Sequence, residues 1–315
     1  MEVEHLRMVR TAERIPVLFK IVRAREEARL ERVQQAIVGS IQRRQERELL
    51  RCTISELPRL QFVGGRGLDY SHCYPQSAFD QQGVFFDLNY FKYCFLKATG
   101  LDFHELKLET DFQALSRDLT AETGDSFLYR DFQARNVMMV PTTGSQPTAD
   151  SGQQPFFIDF QGGRRGPYYY DVASFVWQAS ARYSHKMRRE LVYEYYHALR
   201  QFTEAPAPHV FVDRLSLFVL FRLLQVLGAY GFRGYFEKKP HFLASVPYAL
   251  SNLRTLLQKP FTDYPHLNDI LLQLTCMPQF NEIPQDRRLE VHIYSFAYKK
   301  GIPNDASGNG GGYVF

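Results

Sequence analysis

The sequence predicts an α+β fold, mostly helical, carrying one β-hairpin. Three observations predict it. Hydrophobic residues make up 45% of the 315 positions and aromatic ones 15%, enough to close a large core. Apolar residues recur at helical spacing along most of the chain. Between residues 126 and 160 that spacing gives way to two short apolar runs around a loop rich in Pro, Thr, Gly, Ser and Gln.

The 26 Phe and 19 Tyr, against one Trp, exclude a disordered chain. With 38 basic and 34 acidic side chains the formal charge is +4, a mild excess that does not require a polyanionic partner. Cys52, Cys73, Cys94 and Cys276 are widely spaced and form no CxxC pair. They fit neither a zinc site nor a disulfide framework, which points to a reducing, cytoplasmic setting. Residues 1–14 are charged throughout and lack the apolar core of a signal peptide. No stretch approaches the roughly 20 apolar residues a membrane helix needs. The longest run, Leu215 to Leu220 with its neighbours, is broken by Arg214 and Arg222. No membrane partner is expected.

Taken in order, Lys20 to Arg51 places Ile21, Leu30, Val33, Ile37 and Ile41 at helical spacing, a solvated helix packed along one stripe. Pro58 and the turn Gly64-Gly65-Arg66-Gly67 close it. Those glycines lack the flanking strand and full spacing of a phosphate-binding loop and read as a plain turn. Leu88 to Ala98 is a dense aromatic helix, and Leu106 to Leu119 another amphipathic one. The hairpin pairs Val137 to Val140 with Phe156 to Ile158 across the loop Pro141 to Pro155. Helical patterns return at Tyr170 to Arg182, Lys186 to Thr203, Val210 to Tyr230 and Ser245 to Gln258. A composition shift at Cys276-Met277-Pro278 and Ile283-Pro284 marks a linker over 276–288, after which Leu289 to Tyr298 alternates like a strand.

The segment Tyr129-Arg130-Asp131-Phe132-Gln133-Ala134-Arg135-Asn136 sets an Asp and an Asn five positions apart just before a strand. Phosphoryl transfer needs a carboxylate beside the attacking hydroxyl and oxygen ligands for the Mg²⁺ that neutralises the phosphates. A loop entering a hairpin can supply Asp131 for the first and Asn136 for the second. The second strand then delivers Asp159, a hard anionic oxygen. Singly, Asp131 reads as a loop cap and Asp159 as a turn residue. Their joint occurrence in this order argues against both plain readings.

These residues resemble the aminoglycoside phosphotransferase and choline kinase-like group, a phosphotransferase family with a protein kinase-like fold. The shared pattern is [HY]-x-D-x-x-x-x-N, then I-D-[FY], then Y-D. Here it is met by Tyr129, Asp131 and Asn136, by Ile158-Asp159-Phe160 and by Tyr170-Asp171. The resemblance implies a kinase-like C-terminal lobe that uses ATP and Mg²⁺. It implies Asp131 as catalytic base, Asn136 and Asp159 as metal ligands, and Tyr129, Arg130 and Asp171 as loop-bracing residues. Tyr129 stands where His is commoner. The stretch Asp159 to Ser174 is similar to bacterial kinases acting on cell-wall amino sugars, which implies a sugar-like hydroxyl acceptor. An acceptor pocket is expected around Asp87 to Tyr93 and Ala229 to Tyr235. The resemblance covers about Thr53 to Leu257.

Kinases of this group carry an N-terminal lobe with a nucleotide-covering loop and a lysine, and most of that lobe is expected to be missing. Val17-Leu18-Phe19-Lys20 has the outline of a lysine-bearing strand, with Glu26, Glu27 or Glu31 as ion-pair partners, yet no glycine precedes Gly39. The tail, Val291 to Pro303 with Asp305 and Tyr313-Val314-Phe315, looks like the opening of a RapZ C-terminal domain, whose family includes adapters binding small regulatory RNA. RNA binding would need that domain complete. The expected organisation is an N-terminal helical segment (1–52), a phosphotransferase lobe (53–275), a linker (276–288) and a truncated RapZ-like start (289–315), with weak ATP turnover. The alternative is a non-catalytic adapter that binds ligand or RNA.

Overall fold

In the computed structural model the described residues are 44–121, 124–141 and 153–280. The expected segments Lys20 to Ile41, Lys20 itself and the RapZ-like tail lie outside them. The described part is mostly helical with two antiparallel strand pairs, an α+β arrangement.

Helix α1 (44–59) runs through Pro58, where the sequence suggested a stop. Ile54 and Leu57 are fully buried and anchor it, and a wide π-helical turn, Leu60–Gly64, ends it at the glycines instead. The boundary expected at residue 52 therefore falls inside a continuous helix. Helix α2 (Gln81–Phe91) begins earlier than expected, because the Asp80 side chain accepts the Gly83 N–H and caps it. A π turn and a 3₁₀ turn extend it to Thr99, and Gly100 closes it at φ 77°. Helix α3 (Glu105–Thr120) packs against α2.

Strand β1 (Ser126–Leu128) pairs with β4 (Arg164–Gly166), which the sequence reading did not anticipate. Strands β2 (Val137–Pro141) and β3 (Gln153–Phe157) form the expected hairpin, Val137 opposite Phe157 and Met138 opposite Phe156. Helix α4 (Tyr169–Val176) is shorter than the Tyr170 to Arg182 pattern suggested. Helix α5 (His185–Leu199) restarts at Ser184, whose hydroxyl accepts the Met187 N–H.

Helix α6 (Pro208–Gly231) has 24 residues, about 36 Å at 1.5 Å per residue. Phe211, Leu215, Phe218, Val219, Leu220, Phe221, Leu224 and Leu227 are buried around much of its girth, so it forms the axis of the core. It meets the α2 extension so closely that a Cβ on Gly231 would lie 2.2 Å from the Cys94 carbonyl oxygen. Only glycine fits there. Helices α7 (Pro240–Leu243), α8 (Val246–Leu256) and α9 (Pro265–Cys276) complete the bundle. The last was not foreseen, although the expected linker starts where it ends. No helix among the described residues is long and apolar enough to cross a membrane.

Candidate active site

The site is assembled where the loop leaving β1 meets the two ends of the β2–β3 hairpin. Asp171, in the first turn of α4, is fully buried. Its carboxylate accepts the N–H groups of Tyr129 at 2.8 Å and Arg130 at 2.9 Å. Gln61, from the π turn after α1, donates to the same carboxylate at 3.2 Å and accepts the Tyr195 hydroxyl of α5 at 2.7 Å. Burial is the largest influence on Asp171 and pushes its pKa up to about 6, against the downward pull of these donors.

That clamp sets the loop's course. Arg130 takes a left-handed φ of 75°, and the Asp131 N–H donates to the Tyr129 carbonyl at 3.0 Å. The chain thus turns within a single residue, presenting the Asp131 side chain half-exposed. Asn136, almost fully buried, donates its amide nitrogen to the Asp131 carbonyl at 2.9 Å and to the Asp131 carboxylate at 3.3 Å. Arg135 Nη2 at 3.0 Å and Gln133 Nε2 also reach that carboxylate. Because the nitrogen of Asn136 faces Asp131, its side-chain oxygen points the other way.

Asp159 arrives from the second strand. The Ile158 N–H donates to the Asn136 carbonyl at 3.1 Å, one rung beyond the Val137–Phe157 pair. Asp159 follows in an exposed, left-handed conformation with φ 69°, its carboxylate accepting from Gln161 at 2.6 Å. The Tyr129 hydroxyl donates to the Ile158 carbonyl. Tyr129 therefore ties the loop to the residue before Asp159, and burial with the nearby Asp159, Asp171 and Asp131 charges pushes its pKa up to about 12.

The structure thus brings together Tyr129, Arg130, Asp131, Asn136, Asp159 and Asp171. Among the described residues there is no group of three or more His, Cys, Asp or Glu suited to a metal ion. What the site offers a cation is the Asp159 carboxylate and the outward-turned Asn136 amide oxygen. That set fits Mg²⁺, which usually keeps water and takes one or two carboxylates plus substrate phosphates.

Sequence reasoning missed several participants. Arg222 of α6, largely buried, has Nη2 4.0 Å from Asp131 and donates to Ser174 at 3.1 Å and Gln225 at 2.6 Å. Gln225 in turn donates to Asp87 at 2.6 Å and accepts from Tyr170 at 2.6 Å. The available signal was an arginine inside a helix buried nearly all round, noticed only as a break in an apolar run. Gln61 and Tyr195 gave no local signal. Beside the loop lies a cavity of about 430 Å³ lined by Gln76, Asp80, Asp87, Arg130, Arg164 and Tyr170 among others. Asp87 lies in the region expected to form the acceptor pocket, whereas Ala229 to Tyr235 do not line this cavity. No protein-family profile matches the sequence, and no curated protein is significantly similar to it.

Proposed function

We propose that this chain is the C-terminal, kinase-like lobe of an ATP-dependent phosphotransferase, which moves the γ-phosphate to a hydroxyl of a small sugar-like acceptor. The observation that carries the reading is the double use of Asn136. Its side chain fixes the backbone of Asp131 while its own carbonyl extends the hairpin ladder to Ile158. One residue thereby sets the base and the metal-binding carboxylate in register with each other.

In this reading Mg²⁺-ATP, when bound, supplies an electrophilic γ-phosphoryl group whose charge is partly neutralised. Asp131 accepts a hydrogen bond from the acceptor hydroxyl and takes its proton, in exchange for the exposed Arg135 and Gln133 contacts. Asn136 and Asp159 hold the cation. Arg222 places a guanidinium nitrogen 4.0 Å from the Asp131 carboxylate. The outer face of the hairpin supports a nucleotide site as well: Met138, Val140, Phe156 and Ile158 are all exposed there, an apolar surface on which a base can lie.

Calorimetry with Mg²⁺-ATP tests the proposal. Binding is expected for the native chain and is expected to vanish in Asp159→Ala. Equal binding in that variant, or none in the native chain, would overturn the reading and leave the adapter alternative standing.

A further inference from the structure

The cavity beside the loop is lined by two arginines, the half-buried Arg130 and the buried Arg164. Arg164, on β4, is 5% exposed. Its Nη1 donates to Gln76 at 2.9 Å and its Nε to the Gly162 carbonyl at 3.4 Å, but its buried Nη2 has no partner. Burial lowers its proton affinity most and the charge of Arg130 lowers it further, against a smaller upward pull from Tyr170, Asp87 and Asp80. The carboxylates lining the same cavity are already engaged. Asp80 caps α2 through Gly83 at 2.8 Å and accepts from Gln76 at 3.2 Å, and Asp87 accepts from Gln225 at 2.6 Å.

A desolvated guanidinium with an unmade hydrogen bond is costly, and a second positive charge beside it adds to the cost. An anionic oxygen removes both penalties at once, and a carboxylate or phosphate matches the guanidinium fork. The volume, about 430 Å³, is that of a small-ligand pocket. Arg130, one residue before the proposed base, lines this cavity, whereas Asp131 stands outside its lining.

We infer that this cavity selects acceptors bearing a carboxylate or phosphate, gripped by Arg164 and Arg130 while a hydroxyl is presented to Asp131. The hydroxyl's role rests on the phosphotransferase reading, whereas the anion grip stands on the cavity alone.

The test is calorimetry on the full chain with three probes sharing one ring: glucose, glucuronate and glucose 6-phosphate. At least one anionic probe is expected to bind about tenfold or more tightly than glucose. Which one does so separates a sugar acid from a sugar phosphate. Arg164→Gln is expected to erase that preference. Should Arg164→Gln fail to fold, Arg130→Gln is expected to reduce the preference by itself. No preference in either anionic arm, or a preference that survives both substitutions, overturns the inference. Mg²⁺-ATP titrated in parallel keeps the two readings separate. Anion preference without nucleotide binding sinks only the phosphotransferase reading. Nucleotide binding without anion preference sinks only this one.

Discussion

Asp171→Asn asks whether a buried charge, and not merely a polar side chain, holds the loop from Tyr129 to Asn136. The native carboxylate takes N–H groups from Tyr129 at 2.8 Å, Arg130 at 2.9 Å and Gln61 at 3.2 Å. Burial nevertheless outweighs these donors and raises its pKa from 3.8 to about 6. The folded protein therefore binds this proton more tightly than the unfolded chain does. Its contribution to stability is fully present below the unfolded value and is lost as pH rises through about 6. Roughly two units at 1.36 kcal/mol each give about 3 kcal/mol between the limits, as an order of magnitude. Asparagine does not titrate. It turns an NH₂ toward one of the donors and leaves a buried N–H unmet, at about 1–3 kcal/mol. Urea unfolding of both proteins from about pH 4 to about pH 8 reads the difference, in which all other titrating groups cancel. The stability gap between wild type and variant is expected to narrow as pH rises through about 6. A gap that stays flat, or widens with pH, would refute the reasoning, because the donors would then outweigh burial.

Four further outcomes follow from the same geometry. Asp131→Asn is expected to lower any acceptor-dependent ADP release by about a hundredfold or more with Mg²⁺-ATP affinity unchanged; a near-native rate removes Asp131 as the base. Tyr129→Phe deletes the hydroxyl bond to Ile158 and is expected to weaken Mg²⁺-ATP binding by loosening Asp159, which calorimetry reads directly. Tyr195→Phe strands the buried Gln61 oxygen, and urea unfolding should show a loss of about 1–2 kcal/mol. Gly231→Ala forces a methyl against the Cys94 carbonyl, and a stability loss of about 1–3 kcal/mol is expected from thermal melts.

The helices and the hairpin were legible because each is written in local periodicity. Val137 to Val140 and Phe156 to Ile158 are short apolar runs flanking a polar loop, and Phe211, Leu215 and Phe218 repeat at helical spacing. Boundaries were less legible. Ser184 caps α5 two residues before the expected start at Lys186, and Pro58 failed as a stop because Ile54 and Leu57 are pinned in the core on one side of it. The β1–β4 pair escaped notice for a different reason. Each strand has only three residues, and Arg164-Arg165-Gly166 has no strand-like pattern; the pairing exists through its partner, Ser126 to Leu128. Asp131, Asn136 and Asp159 stood out because their spacing is fixed by a loop and a hairpin. Gln61 acts on Asp171 across 110 residues, and no local pattern can report that.

Tyr129 shows how the legible and illegible parts depend on each other. Two non-glycine residues of the site, Arg130 and Asp159, sit at left-handed φ values of 75° and 69°. Such conformations cost on the order of 1 kcal/mol or more each and persist only where surrounding contacts over-determine them. For Arg130 the contact is Asp171, which takes its N–H and that of Tyr129. For Asp159 it is the residue before it, whose N–H is fixed by Asn136 and whose carbonyl is fixed by the Tyr129 hydroxyl. Tyr129 is thus bonded to both halves, by its backbone to the clamp on the loop and by its side chain to the hairpin end. The motif marks the residues assigned to the proposed chemistry. The strain in their backbones is borne by the buried set of Tyr129, Gln61, Asp171 and Tyr195, of which only Tyr129 and Asp171 fall within the motif. Loosening that set should therefore displace Asp131 and Asp159 together, which separate substitutions of the two acids cannot do.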